Sequence, residues 1–303
     1  MTPEPSPALV VGATGRQGGA TARALLAAGI PVRALVRDPE NTRAKEIQAL
    51  GAELVTGDLD DLASVTRAAE GVRAVFSVQM PDMEGRGFEG EVAQAVNLIE
   101  GAQAAGVPQF VHTSVSGAGQ HVSWVKDRWA WMAPYYSAKA GIQDRVREAA
   151  FTHWTLIKPG FFMENFLPSA QIMFPRGIEG GLVTLLKPAT RLSLIAVADI
   201  GTAAASAVTE PERFNRIELE LAGDFLSMTE IAEILSRIMG RELAAPDLTE
   251  EEATAAGMPD MGFAQARINE EPQPARPEFG RDLGLPLTGF EAWAREHLRD
   301  AMR

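Results

Sequence analysis

The chain has 303 residues, and its 28 Lys and Arg against 40 Asp and Glu give a formal net charge of −12, which excludes a general nucleic-acid binder. Its lack of cysteine excludes a disulfide framework, a thiolate metal site and cysteine nucleophilic chemistry, and fits a reducing, cytoplasmic setting. No apolar run approaches the ~20 residues of a membrane span; Met1 to Pro7, proline-rich and acidic, reads as a frayed tail rather than a signal peptide.

Ala8 to Val11 is an apolar run that predicts a first strand, followed at once by Gly12-Ala13-Thr14-Gly15-Arg16-Gln17-Gly18-Gly19. Three glycines at this spacing suit a tight turn, close approach of a pyrophosphate, and close packing of the next helix on the sheet. An alanine-rich helix should begin near Arg16, run to Ala28 and stop at Gly29, aiming its free N–H groups at the phosphates. Strands are then expected at Val32 to Val36, Glu53 to Thr56, Ala74 to Val78, Phe110 to Thr113 and Thr155 to Ile157. Helices alternate with them at Thr42 to Leu50, from an Asp60 or Asp61 cap to Ala69, at Phe88 to Ala105 and at Tyr135 to Ala150. Such alternation implies an α/β fold, a doubly wound parallel sheet with helices on both faces.

Beyond Pro159 the pattern loosens, and residues 160 to 190 read as irregular. Asp199 is expected to cap a helix to about Val208, and Arg216 to Leu221 alternates like a strand. Capping boxes at Ser227 with Glu230, Thr249 with Glu252 and Thr288 with Glu291 predict three helix starts, and Glu271 to Pro277 an ordered loop or a lid. The expected organisation is a nucleotide-binding Rossmann domain over residues 1–157 and a smaller mixed α/β lobe over 158–303, with the strand near 216–221 returning to the sheet. His112, His121, His153 and His297 lack metal-ligand spacing, so no metal site is expected.

The glycine segment at 12–19 resembles the NmrA-like branch of the atypical short-chain dehydrogenases/reductases. The resemblance extends through Gly57-Asp58-Leu59-Asp60-Asp61, Val75-Phe76-Ser77-Val78, the stretch from Trp154 to Phe166, Val197-Ala198-Asp199-Ile200-Gly201 and Phe279-Gly280-Arg281. It implies a dinucleotide-binding fold over nearly the whole chain. The family holds both NAD(P)H-dependent reductases of quinones or aromatic compounds and cofactor-sensing regulators. It also implies that Asp58, with the Leu59 backbone, faces the adenine amino group; fixing the turn is the alternative role for that carboxylate.

Cofactor choice is read after the second strand. An NAD site usually carries Asp or Glu there, whereas this chain has Arg37, suited to a 2′-phosphate or to stacking on adenine. NADP is therefore expected over NAD, with Arg16 helping. The expected cofactor residues are Gly12, Thr14, Gly15, Arg16, Gln17, Gly18, Arg37, Asp58, Leu59, Gln79, Lys139, Pro159 and Phe162. Tyr135 and Lys139, four apart, would lie on one helix face, where the ammonium would lower the phenol pKa and hold the ribose. This Tyr-x-x-x-Lys arrangement resembles the short-chain dehydrogenase pair, although many NmrA-like members keep only the lysine; aromatic packing is the other role for Tyr135.

Thr113, Ser114 and Ser116 follow the fifth strand, and Ser114 is taken as the hydroxyl that polarises a substrate carbonyl. Trp124, Trp129, Trp131 and Met132 suggest a wall for an aromatic substrate, a subunit interface or a satellite core. Trp124 and Trp131, with Phe161, Met163 and Asn165 after the sixth strand, are the expected substrate contacts. The favoured function is NADPH-dependent reduction of a flat apolar carbonyl, quinone or related aromatic acceptor. The alternatives are a non-catalytic NADP(H) sensor acting through a protein partner, and an isomerase or epimerase with tightly held cofactor. No nucleic acid or membrane partner is expected, and a homodimer stays open.

Overall fold

A computed structural model describes residues 6–120 and 127–298; Trp124, and residues 1–5 of the expected tail, lie outside the described residues. In chain order the elements begin β1 (Ala8–Val11), α1 (Arg16–Ala27), β2 (Val32–Val36), α2 (Thr42–Ala49), β3 (Glu53–Thr56) and α3 (Leu62–Ala69). They continue β4 (Ala74–Ser77), α4 (Gly87–Ala104), β5 (Gln109–Thr113), α5 (Ala133–Glu148), β6 (His153–Pro159), β7 (Phe161–Phe162) and β8 (Arg191–Ile195). After these come α6 (Val197–Thr209), α7 (Pro211–Phe214), β9 (Ile217–Leu221), β10 (Asp224–Ser227) and α8 (Met228–Met239). The last are α9 (Glu250–Ala255), α10 (Met261–Gln265), α11 (Pro277–Asp282) and α12 (Phe290–His297).

Seven strands form one sheet in the order β3-β2-β1-β4-β5-β6-β9. The pairs from β3 to β6 are parallel, and at β9 the bonds Arg216 N–H to Trp154 O and Gly160 N–H to Leu221 O step the same way along both strands. Strand order reverses between β1 and β4, the crevice where doubly wound sheets bind ligands. This is the expected doubly wound parallel sheet, with a small mixed sheet, β10-β8-β7, beside it in the chain.

The described residues fall into two compact units. The first lies within Met1–Ser123, Ala133–Lys158 and Ile200–Leu219, the second within Trp124–Met132, Pro159–Asp199 and Glu220–Arg303. The first unit's core includes Leu9, Val75, Leu98, Phe110, Val146 and Leu156, so apolar faces of β1, β4, β5 and β6 are covered by α3, α4 and α5. Around α1 two glycines set the packing, Gly18 within it and Gly201 of α6 against it. A Cβ on Gly18 would fall 2.2 Å from the Gly12 carbonyl oxygen, and a Cβ on Gly201 of α6 would fall 2.5 Å from the Ala20 backbone.

The second unit encloses Phe161, Met163, Phe166, Phe174, Leu192, Leu235, Phe290 and Trp293 in its own core. Two of the expected capping boxes form, Ser227 with Glu230 and Thr249 with Glu252. The third does not. The Thr288 N–H and hydroxyl both donate to Asp199, at 2.7 and 2.9 Å, so that hydroxyl is no longer a cap and α12 starts from Gly289. Asp199 correspondingly sits inside α6 rather than capping it, and the Val197 N–H at the helix start donates to Glu164 at 3.0 Å. The Glu271 to Pro277 segment is an ordered loop: the Ser193 hydroxyl reaches the Ala275 carbonyl at 2.7 Å, and the Arg276 guanidinium lies 3.8 Å from the Phe225 ring centre.

Candidate cofactor and substrate site

The C-terminal ends of β1, β2, β4 and β5 lie side by side, because these strands are parallel and in register, with Val11 beside Leu35 and Val75 beside Phe110. That edge gathers the glycine turn, Arg37, Gln79, Thr113 and Ser114. Gly12 takes φ +67°, a left-handed conformation open to glycine, and its carbonyl accepts the Gly15 N–H at 2.8 Å. The turn delivers the chain into α1, whose N-terminus has no side-chain cap and no acidic residue in its first turn. Its free N–H groups and positive dipole end suit an anion. Arg16 begins this helix and Arg37 follows β2; both are exposed, and neither makes an ion pair among the described residues.

The Gln17 side chain accepts a 2.7 Å hydrogen bond from the Thr113 hydroxyl, tying the first turn of α1 to the end of β5. One Asp58 carboxylate oxygen accepts the Asp60 N–H at 2.9 Å, so this residue does fix its turn, and the Leu59 carbonyl accepts from Asn97 at 2.8 Å.

Behind the edge lies a buried polar cluster. Lys139 on α5 is ion-paired with Glu91 on α4, both side chains being nearly or wholly enclosed, and the Lys139 ammonium also reaches the Gln79 carbonyl at 3.4 Å. Gln79 and His112 both contact the Ser77 hydroxyl, His112 through Nδ1 at 3.0 Å. Burial, with the Lys139 charge, pushes His112 down to about 3, so its ring is neutral at ordinary pH. Tyr135 lies one turn before Lys139, whose ammonium is 5.7 Å from the phenol ring centre. The expected lowering of the phenol pKa does not occur. Burial above all, then Tyr136 and the Glu91 carboxylate, push it above the ordinary value, and the ammonium that was to lower it is ion-paired with that same carboxylate. Tyr135 also packs edge-on against Phe88 and Tyr136.

Ser114 is 7% exposed and its oxygen accepts the Gln143 side-chain N–H at 2.8 Å. The second unit holds the remaining expected residues. Trp131 is exposed, whereas Phe161 and Met163 pack within that unit's core, which is a packing role for both side chains. Pro159 ends β6, Phe162 ends β7 partly exposed, and the Asn165 carbonyl accepts the Met173 N–H at 3.2 Å. Trp129 is buried and donates to Glu270 at 2.8 Å.

Glu91, His112 and Gln143 were not singled out from the sequence. A signal existed for two of them. Glu91 shares a helical stripe with Ala95, Leu98 and Ala102, all buried, and Tyr135, Lys139, Gln143 and Arg147 recur every fourth residue along α5. His112 carried none beyond its place in a buried strand.

A model described as the NmrA-like family matches residues 5–266 of the chain. An NAD(P)H azoreductase of Xenophilus azovorans is 31% identical over 303 residues, spanning 95% of this chain and 97% of that relative. Quinone oxidoreductase 2 of Escherichia coli (strain K12) is 27% identical over 260 residues, spanning 83% of this chain and 82% of its own. Among solved structures, the triphenylmethane reductase of Citrobacter sp., crystallised with NADP(H), superposes with a TM-score of 0.79 at 21% identity, covering 96% of this chain and 99% of that one.

Proposed function

The chain belongs to the NmrA-like family, and from that premise we propose that it is an NADPH-dependent reductase of a flat aromatic or quinone-like acceptor. The observation that carries the proposal is the end-to-end match to an NAD(P)H azoreductase at 31% identity. The residues at the strand edge fit the cofactor. The turn at Gly12 and the uncapped start of α1 leave backbone N–H groups for a pyrophosphate, and exposed Arg37 suits a 2′-phosphate. Lys139 has three N–H donors; Glu91 and the Gln79 carbonyl take two, which leaves the third for a ribose hydroxyl. Thr14, Gly15, Arg16, Gln17, Gly18, Asp58, Leu59, Gln79, Pro159 and Phe162 complete the proposed cofactor set, within a nucleotide-binding domain over 1–157 and a substrate lobe over 158–303.

Bound NADPH would supply the hydride, and the acceptor takes up a proton with it. Ser114 polarises the acceptor oxygen. Tyr135, held protonated by its burial, serves a strongly basic alkoxide product well and a hydroquinone anion poorly, for which solvent is the proton source. Trp131 and Asn165 are the proposed contacts for the aromatic body. Steady NADPH oxidation with a panel of quinones and aromatic aldehydes tests this reading, NADPH being expected to outperform NADH. Cofactor binding with no turnover would replace it with the sensor acting through a protein partner; cofactor retained through purification with no net oxidation would replace it with the isomerase.

A further inference from the structure

Arg147, one turn beyond Gln143 on α5, is held by Glu218 of β9 through Nε at 2.7 Å and Nη2 at 2.9 Å, and by Asp144 at 2.6 Å. Lys158 at the end of β6 reaches the same Glu218 carboxylate at 2.6 Å. The two cations hold that carboxylate down at about 2, so Arg147 has a charged anchor throughout the working pH range. Anchored so, Arg147 donates through Nη2 to the Gln143 Oε1 at 3.1 Å.

A guanidinium has donors and no acceptor, so the amide facing it must present its oxygen. The amide orientation of Gln143, fully buried, is therefore fixed by chemistry as well as by position, and its NH2 must face Ser114. The Ser114 oxygen then receives a hydrogen bond, and its own proton has no partner among the described residues. The Ser114 N–H is bonded to the Ile157 carbonyl at 2.8 Å, which pins the residue at the edge that carries the glycine turn.

We propose that Gln143 is a positioning residue that fixes the Ser114 hydroxyl as a hydrogen-bond donor toward the acceptor's oxygen, oriented in turn by Arg147 and Glu218. This rests on the reductase reading, and it is specific about polarity. A carboxylate at position 143 keeps the size and the Arg147 contact but accepts the Ser114 proton, turning the donor inward. An apolar residue leaves the hydroxyl free to rotate, so the donor survives less well oriented.

Gln143→Glu and Gln143→Leu therefore separate positioning from packing. Gln143→Glu should keep its melting temperature and NADPH affinity while kcat for 2-naphthaldehyde falls about 100-fold, the scale of losing one oxyanion donor. Gln143→Leu should melt lower, for its lost hydrogen bonds, yet keep more activity than Gln143→Glu. Ser114→Ala should lose about as much as Gln143→Glu, with no further loss in the double variant. Activity that follows stability, with Gln143→Glu near wild type, overturns the proposal. Menadione binding to NADP+-loaded protein, read by tryptophan fluorescence, is the second measurement. If the wild type never turns over but binding ranks wild type, Gln143→Leu, Gln143→Glu, the reductase reading falls and the donor stands. Equal binding by all three, or none by the wild type, removes the donor.

Discussion

At the residue scale the candidate site divides into charges exposed at the surface and charges cancelled or withheld inside. Arg37, exposed and without an ion-pair partner among the described residues, belongs to the first kind. Arg37→Ala should weaken NADPH by about 1.5 kcal/mol, roughly tenfold, the scale of one charge-assisted hydrogen bond, and leave NADH unchanged. Titration of both cofactors checks this, and equal loss for both would remove the 2′-phosphate role. His112 belongs to the second kind. Its ring is held neutral, from an ordinary 6.5 down to about 3. The unfolded chain therefore takes up a proton there that the folded chain refuses, and this contribution, present above pH 6.5, is lost as pH falls toward 3. His112→Asn keeps a partner for Ser77 without the titration, so its melting temperature should fall less between neutral and mildly acidic pH than that of the wild type. An unchanged acid slope would show that other groups dominate.

At the element scale, the two helix-facing glycines of the turn carry different tasks. Gly18 has backbone where its Cβ would be, at 2.2 Å, whereas a Cβ on Gly15 meets only the Gly12 oxygen at 3.2 Å. Gly18→Ala must push α1 off β1, and should cost about 1–3 kcal/mol or more by overpacking. Gly15→Ala should stay folded and lose dinucleotide affinity; thermal melts beside cofactor titrations separate the two. The parallel strands and their helices were legible because glycines, caps and prolines mark many of their bounds, as at Gly12, Asp61 and Pro108. The small sheet was not: β7 is two residues long, and β8 and β10 are short runs paired across distance, Leu192 with Leu226. Asp199 and Thr288 misled for the same reason, being local caps by spacing and partners to each other across 89 positions. Candidates for the site were legible where a residue type suggests a task, as for the roles proposed for Arg37 and Lys139. They were not where the task depends on a neighbour's polarity, as for Gln143.

At the scale of the whole molecule, the chain carries a net charge of −12 and should repel an anionic dinucleotide at long range. The buried pairing of Lys139 with Glu91 adds nothing against that, since the pair is neutral as a unit. In the proposed cofactor site, the attraction left for the phosphates would come from Arg16, Arg37 and the start of α1, at the surface, where salt acts fully; screening sets in over about 10 Å at 0.1 M. Added salt should therefore erode NADPH affinity faster than NADH affinity, because the 2′-phosphate is the extra charge that the exposed guanidinium is proposed to hold. Dissociation constants for both cofactors across a salt series would display it, and parallel lines would refute it. On the proposed reading, a discriminating cation placed in solvent, beside an enclosed one that is cancelled, would make the preference between two reductants a property of the medium as much as of the binding site.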